Sequence, residues 1–480
     1  MPNSKIWGII VGMKLAILGY GLEGKSIEKY FKTHPYENVP PENIEIKVFD
    51  GFTDEEIDTL GLEEYDVIFR SPSVRPHYDF KKFDKDFDKE NDTSGTEHYY
   101  VHEKPYWTSA TKYFFQHCPC EIIAVTGTKG KGTTSSMIAA ILESINKQAF
   151  KDAPKAEQPT VHLVGNIGKP VLDYLDEIRP IDEVVFEISS FQLWDLHTDS
   201  YVGVLLRIEP DHLNVHNGFD DYVYAKSSVA RYKNPTDHLV YFSENPTTLS
   251  VAEKSAATKH PYPITAENSH LSKLGQERLN EVLDSLHIPG EHNRENCEAA
   301  LLAVASRTNK GDLDGLLCSE LYPAIKSAID GFEGLPHRCQ YLRELNNVKY
   351  YDDNYSSALP ATDVALKAFE DSPTVLIAGG FSKGTDQQVK DRIFSAKNLE
   401  KAILIGNTAK FLAEGIDESK YELADNLDDA VKKARAAAEK VATKDKPAIV
   451  LMSPGFASFD MFKNFTERGE LFTKAVKALK

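Results

Sequence analysis

Residues 121–145 read EIIAVTGTKGKGTTSSMIAAILESI, and their order decides the fold. An apolar, β-branched run from Ile122 to Thr126 ends at a glycine loop and passes directly into a stretch with helical spacing. A buried strand, a tight loop and a helix in that order form one turn of a parallel α/β unit, which binds anions at the carboxyl end of its strand. Gly127 and Gly130 let backbone amides approach a phosphate, and Lys131 supplies a point charge for the terminal phosphates. The Thr/Ser-rich helix start completes the cradle. Candidate contacts to a nucleotide triphosphate are Gly127, Thr128, Lys129, Gly130, Lys131, Gly132, Thr133 and Thr134. One letter departs from the usual phosphate loop. After the lysine such loops carry Ser or Thr for Mg²⁺, and Gly132 has no side chain.

The same grammar recurs on both sides. Upstream, KLAILGYGLEGKSIEKYFK reads strand, glycine turn, helix; IEIKVFD and EYDVIFRSPSV supply further strands. Downstream, EVVFEISS, YVGVLLRI and HLVYFS are strands, and DYVYAKSSVARY and ENCEAALLAVASR are helices. A third block carries VKYYDD, TVLIAGG, KAILIG and AIVLMSP. Strands alternating with helices throughout predict an α/β protein with parallel sheets and ligand sites at strand carboxyl ends. The expected domains are residues 1–117, 118–334 and 335–480. The charged, aperiodic segment 81–105 is expected to be an exposed loop or insertion, and the first twelve residues a tail.

A formal net charge of -18 argues against nucleic-acid or anionic-membrane surfaces, which need clustered Lys and Arg. Five scattered cysteines argue against a disulfide framework and for a reducing cytoplasm. Cys118-Pro119-Cys120 is too tightly spaced for ordinary zinc ligation. No apolar run approaches the ~20 residues of a membrane span. The chain is expected to be a cytoplasmic monomer acting on small molecules, with no nucleic-acid or membrane partner.

Gly19-Tyr20-Gly21-Leu22-Glu23-Gly24 matches the dinucleotide fingerprint G-x-G-x-x-G between a strand and a helix, with Asp50 ending the next strand. On these residues alone NAD or FAD, another nucleotide, and a mere tight turn all remain open. Glu187 sits near the end of an apolar strand, where a carboxylate is costly unless it is paired, and a hard cation shared with phosphate oxygens explains it. Asp211 and His212 follow another strand, and Lys226 lies on the next helix. A surface Asp-His pair and a solvated lysine are the plain alternatives.

The ordered set TGTKGKGTT, GNIGKP, FEISSFQL, IEPDHLNVH, YAK, IPGEHNRENCEAAL, GLPHRCQY, YYDDNYSSALPATDVAL and SPGFASFDMFKNFTERGELF resembles the Mur ligase family over nearly the whole chain. The resemblance implies a Rossmann-like amino-terminal domain for a UDP-sugar, a central P-loop ATPase with a parallel sheet, and a Rossmann-like carboxyl-terminal domain for an amino acid. It implies an ATP- and Mg²⁺-dependent amide-forming ligase that adds D-glutamate to UDP-N-acetylmuramoyl-L-alanine through an acyl phosphate.

Carried onto this chain, the resemblance places Leu22, Glu23, Asp50, Gly51 and Ser71 beside uridine diphosphate, with Asn166 and His212 on the muramoyl-peptide side. Lys131 and the metal ions would stabilise transferring oxygens. Glu187 and His212 match metal ligands, and Lys226 matches a lysine that becomes a carbamate ligand. The hydroxyl missing at Gly132 is expected from Thr133; water, or Glu187 and His212 alone, are the alternatives. Asn293, Asn296, Arg338 and Asp353 match nucleotide contacts, and Ser357, Lys383, Ser458, Phe459 and Phe465 match the D-glutamate pocket. Three letters depart from the pattern: Ser73 ends an SPS turn where SPG is usual, Ser357 replaces Thr, and Tyr355 replaces a frequent lysine. A folylpolyglutamate synthase-like ligase shares the loop but predicts no amino-terminal UDP domain. A nucleotide-binding dehydrogenase or sensor uses only the first fingerprint.

Overall fold

The computed structural model describes residues 12–77, 105–198, 200–231, 233–382 and 387–480. The charged segment 81–105 lies outside them apart from Pro105, as does the amino-terminal tail before Gly12. Internal contacts divide the chain into two compact units, Met1–Leu279 with Glu295–Ile325, and Asn280–Arg294 with Lys326–Lys480.

The first unit carries two sheets. Strands β1 (Met13–Leu18), β2 (Ile44–Phe49), β3 (Val67–Arg70) and β4 (Tyr106–Ser109) form an all-parallel sheet in the order β2-β1-β3-β4. Strands β5 (Ile122–Thr126), β6 (Val161–Gly165), β7 (Glu183–Glu187), β8 (Val202–Leu205), β9 (His238–Phe242) and β10 (Thr258–Tyr262) form a second, in the order β10-β9-β8-β5-β7-β6, also parallel. Every residue of β5 is buried, as expected of a parallel strand covered on both faces. The two sheets share one apolar cluster: Phe114, on the helix Ala110–His117, meets Phe186 of β7 edge-on at 5.5 Å.

The second unit holds β11 (Gln340–Leu345), β12 (Val348–Asp352), β13 (Thr374–Gly379), β14 (Leu399–Ile405), β15 (Tyr421–Leu423) and β16 (Ala448–Met452), in the order β11-β12-β16-β13-β14-β15. The expectation of purely parallel sheets needs one correction here, because β11 runs antiparallel to β12. The reason is local. Asn346 and Asn347 both take left-handed conformations, φ 54° and 59°, which makes the two-residue turn that suits a twisted hairpin.

Candidate active site

The phosphate-type loop sits at the carboxyl end of β5 and opens the helix Lys131–Ala149. Gly130 caps that helix at φ +85°, and a Cβ there would lie 2.5 Å from Asn296 Oδ1, so only glycine fits. The loop is tied to the segment after β8. Thr128 N donates to Arg207 O at 2.9 Å, and the Thr128 hydroxyl donates to Glu209 O at 3.0 Å. Lys131 folds over the loop, with Nζ donating to the carbonyls of Gly127 and Thr128, each at 3.1 Å. In the first helical turn the Thr134 hydroxyl donates to Asn296 Oδ1, and Ser135 donates back to Lys131 O. Both point into protein.

Lys226, on the helix Phe219–Arg231, reaches the same strand end from below. Its Nζ donates to Gly127 O at 2.7 Å and to Thr126 Oγ1 at 3.3 Å, and the side chain is 1% exposed. Burial first, and then the neighbouring Lys131 charge, hold its amine well below the usual lysine range. The reading of a solvated helix lysine is therefore replaced: the helix turns this face inward. Glu187 ends β7, buried, and its Oε1 accepts from Asn166 Nδ2 at 3.0 Å. The structure thus brings Lys131 and Lys226 to one strand end, with Glu187 and Asp211 within electrostatic reach of Lys226, while Glu187 is held by Asn166 and the loop helix by Asn296. His212 follows β8 in a left-handed conformation, φ 53°, half-exposed against Phe191 and Asp211.

The glycine fingerprint lies at the carboxyl ends of β1, β2 and β3. Tyr20 N donates to Asp50 Oδ1 at 3.2 Å, and the Ser71 hydroxyl donates to Gly19 O at 2.8 Å. A Cβ on Gly24 would lie 2.2 Å from Gly19 O, so the third glycine seats the helix Leu22–Phe31 on its strand. Leu22 is exposed and Gly51 turns the chain at φ +72°. Glu23 is mostly buried beneath this turn. Its Oε1 accepts from Gln192 at 3.4 Å, while Oε2 has no hydrogen-bond partner among the described residues, and burial pushes its carboxyl up to about 7 from the ordinary 4.5. The folded state therefore holds a proton that the unfolded chain releases, so stability is lost as pH rises from about 4.5 to about 7. Glu23→Gln is expected to flatten this slope and to raise the midpoint of thermal unfolding at pH 8 by roughly 2–6 °C. Thermal melts at pH 5 and pH 8 check it; an unchanged slope rejects the burial argument.

In the second unit, the Arg338 guanidinium lies over the Tyr355 ring at 4.2 Å, and Tyr355 meets Phe465 edge-on at 5.3 Å. Phe459 is exposed beside Phe381, and Ser458 is buried. Asp353 is buried and accepts from Cys339 N, Ser356 Oγ and Ser453 Oγ at 3.2, 2.6 and 2.7 Å, with burial pushing its carboxyl up. Asn293 donates to Pro289 O at 2.6 Å. Ser357 is exposed, and Lys383 lies outside the described residues.

Residues 125–304 match the Mur ligase middle domain. The UDP-N-acetylmuramoylalanine--D-glutamate ligase of Caldanaerobacter subterraneus subsp. tengcongensis is 33% identical, over 75% of this chain and 76% of that protein. This chain belongs to the Mur ligase family. The protein of the same name from Clostridium kluyveri is 29% identical over 96% of both chains. The solved structure of UDP-N-acetylmuramoyl-L-alanyl-D-glutamate--2, 6-diaminopimelate ligase shares the fold, at 17% identity and TM-score 0.51, over 77% of this chain and 81% of that one.

The family pattern did not single out three buried groups that frame these sites. Arg70 pairs with Asp195 and donates to the carbonyls of Val74 and Phe191 at 3.3 and 3.2 Å, joining the end of β3 to the segment after Glu187. His216 takes the Trp194 indole N–H at 3.1 Å and meets Ser190 Oγ at 2.9 Å; Asp221, 3.3 Å away, is also held by both Arg75 terminal nitrogens. Arg468 is buried on the helix Phe465–Ala478, donating to Asn354 Oδ1 and to the carbonyls of Phe456 and Ala457, and burial brings its guanidinium down to about 10. A charged residue on the apolar face of a predicted helix is the signal that could have flagged it.

Proposed function

We propose that this chain is an ATP-dependent ligase joining the amine of D-glutamate to the carboxyl of UDP-N-acetylmuramoyl-L-alanine, a cytoplasmic step in making peptidoglycan precursors. The observation that carries the reading is the convergence at the end of β5, where the buried Lys226 amine and Lys131 both meet the phosphate-type loop. The glycine turn upstream, with Asp50 and Ser71 beside it, supports a separate nucleotide-sugar site. The corresponding domains are 1–117, 118–334 and 335–480, and the protein acts as a monomer on small molecules. Among the described residues no helix is long and apolar enough to cross a membrane.

In the proposed reaction a carboxylate oxygen of the muramoyl substrate attacks the γ-phosphorus of ATP, and the bond to ADP breaks. The D-glutamate amine then attacks the acyl carbon: the C–N bond forms, the nitrogen gives up a proton to solvent, and the acyl C–O bond breaks as phosphate leaves with that oxygen. Lys131 and the loop amides stabilise charge on the phosphoryl oxygens. Glu187, His212, a carbamate on Lys226 and Thr133 are the proposed Mg²⁺ ligands. The donor chemistry fits a hard cation: Glu187 offers a buried carboxylate, and the Thr133 hydroxyl, unlike those of Thr134 and Ser135, has no protein partner among the described residues. Among those residues no three His, Cys, Asp or Glu side chains gather to hold a metal, and a hard cation held there would take further oxygen ligands from nucleotide and water. Asn293, Asn296, Arg338 and Asp353 attend the nucleotide. Ser357, Lys383, Ser458, Phe459 and Phe465 attend the amino acid.

Phosphate release from ATP is expected only when UDP-N-acetylmuramoyl-L-alanine and D-glutamate are both present. A screen of amino acids with that substrate, and of glutamate with a folate acceptor, checks it. Release with a different acceptor and none with this pair overturns the assignment, and the same screen tests Tyr355 where a lysine is frequent.

A further inference from the structure

The connection from the helix Ala110–His117 to β5 is Cys118-Pro119-Cys120-Glu121, and its two thiols face one another. Their sulfurs are 3.8 Å apart, and Cys118 Sγ also approaches Cys120 O at 3.5 Å. Both side chains are half-buried at a cavity of about 460 Å³ lined by Phe115, Pro119, Pro180 and Arg307 as well. This is the amino end of β5, opposite the phosphate-type loop, so the pair lies outside the machinery assigned above. Arg307 pairs there with Glu121 at 3.2 Å and Glu183 at 3.8 Å.

We propose that Cys118 and Cys120 form a dithiol that hydroperoxides oxidise to an intrachain disulfide. Cys118 is the attacking sulfur. Hydrogen bonding from the Cys120 thiol holds the Cys118 thiol below its ordinary range and Cys120 above it, which leaves Cys120 as the protonated partner. The other cysteines are placed less favourably. Cys297 is buried, burial pushes the Cys339 thiol well up, and the Cys318 thiol is engaged by Asp314 Oδ1 at 3.8 Å and Ser272 Oγ at 3.7 Å.

In the first step the Cys118 thiolate attacks a peroxide oxygen: the S–O bond forms, the O–O bond breaks, and the departing hydroxide or alkoxide takes a proton from water. In the second step the Cys120 sulfur attacks the Cys118 sulfenic sulfur. The S–S bond forms, the S–O bond breaks, and hydroxide leaves with the Cys120 proton as water. Two thiols lose two electrons, and one hydroperoxide is reduced to water plus water or an alcohol. A ring with a single intervening residue departs from relaxed disulfide geometry, so thiols reopen it readily.

The test treats the full chain with stoichiometric hydrogen peroxide. Expected are loss of two of the five thiols, a mass lower by two hydrogens on the 118–120 peptide, and reversal by dithiothreitol. Cys120→Ser is expected to stop at a Cys118 sulfenic acid that a 1,3-dione traps. Cys118→Ser is expected to slow peroxide consumption at least tenfold. Phenylarsine oxide, a dithiol probe, should bind once per chain and be lost in either variant. Oxidation beginning at Cys318 or Cys339, or wild-type Cys118 advancing to sulfinic acid while Cys120 stays free, overturns the proposal. So does a disulfide between two chains.

Discussion

Lys226→Ala is expected to lower ATP-dependent phosphate release by roughly 10²–10³-fold, the range seen when a preorganised electrostatic contact is removed from a reacting site. The amine is fully buried against Gly127 O and Thr126 Oγ1, where an ammonium is disfavoured by desolvation and by Lys131. A neutral amine keeps its lone pair. That lone pair can attack carbon dioxide: the N–C bond forms as one C=O π bond opens onto oxygen, an amine proton passes to solvent, and the product is an anionic oxygen ligand where Lys226 had been a neutral amine. High bicarbonate therefore cannot restore Lys226→Ala, whereas formate or acetate, filling the space with a carboxylate, is expected to restore part of the rate. The folded state should survive, because Gly127 O keeps its bond from Lys131 Nζ at 3.1 Å when the buried amine is removed. A ¹³C carbamate resonance in wild type that is absent from the variant provides a readout besides activity. Full activity in Lys226→Ala removes the carbamate from the proposal.

Arg70→Ala is expected to destabilise the first unit by about 3–5 kcal/mol, the cost of stranding one partner of a fully buried ion pair. Arg70 and Asp195 are both essentially without solvent contact, and Arg70 also donates to two backbone carbonyls. Its loss takes the charged partner away from the buried Asp195 carboxylate and removes a donor from the carbonyls of Val74 and Phe191. The double change Arg70→Met with Asp195→Leu is expected to recover much of that loss, since an apolar pair of similar volume needs no desolvation. Urea midpoints for the two single variants and the double variant complete the cycle. Single losses below about 1 kcal/mol would show that the pair is not the anchor proposed here. The pair also holds the segment just after Glu187, so Arg70→Ala should lower catalysis even at temperatures where the chain stays folded.

Much of the architecture was legible in the amino-acid order. β1, β3, β5, β7, β8, β9, β12, β13, β14 and β16 all appear in it as apolar runs, and so does the edge strand β2. The strands without so clear a run are β4, β6, β10, β11 and β15, and every one is a sheet edge. An edge strand is only partly covered, so its letters need not be apolar; Thr258-Lys259-His260-Pro261-Tyr262 has no apolar run to detect. The phosphate-type loop was legible for the opposite reason. Glycine at a left-handed helix start and lysine after it are local demands, met within a few residues.

The sequence by itself therefore determined the interior strands, the two glycine loops and the family, because each depends on short-range spacing or on an ordered set of motifs. Only the tertiary structure decided which charged side chains are buried and what they meet. Lys226 finds Gly127 across 99 positions, Arg468 finds Asn354 across 114, and Arg70 finds Asp195 across 125. Reading the helix Phe219–Arg231 alone, Lys226 could as well face water. A buried cation is affordable only where a distant chain segment supplies acceptors, and no local pattern records where that segment will be.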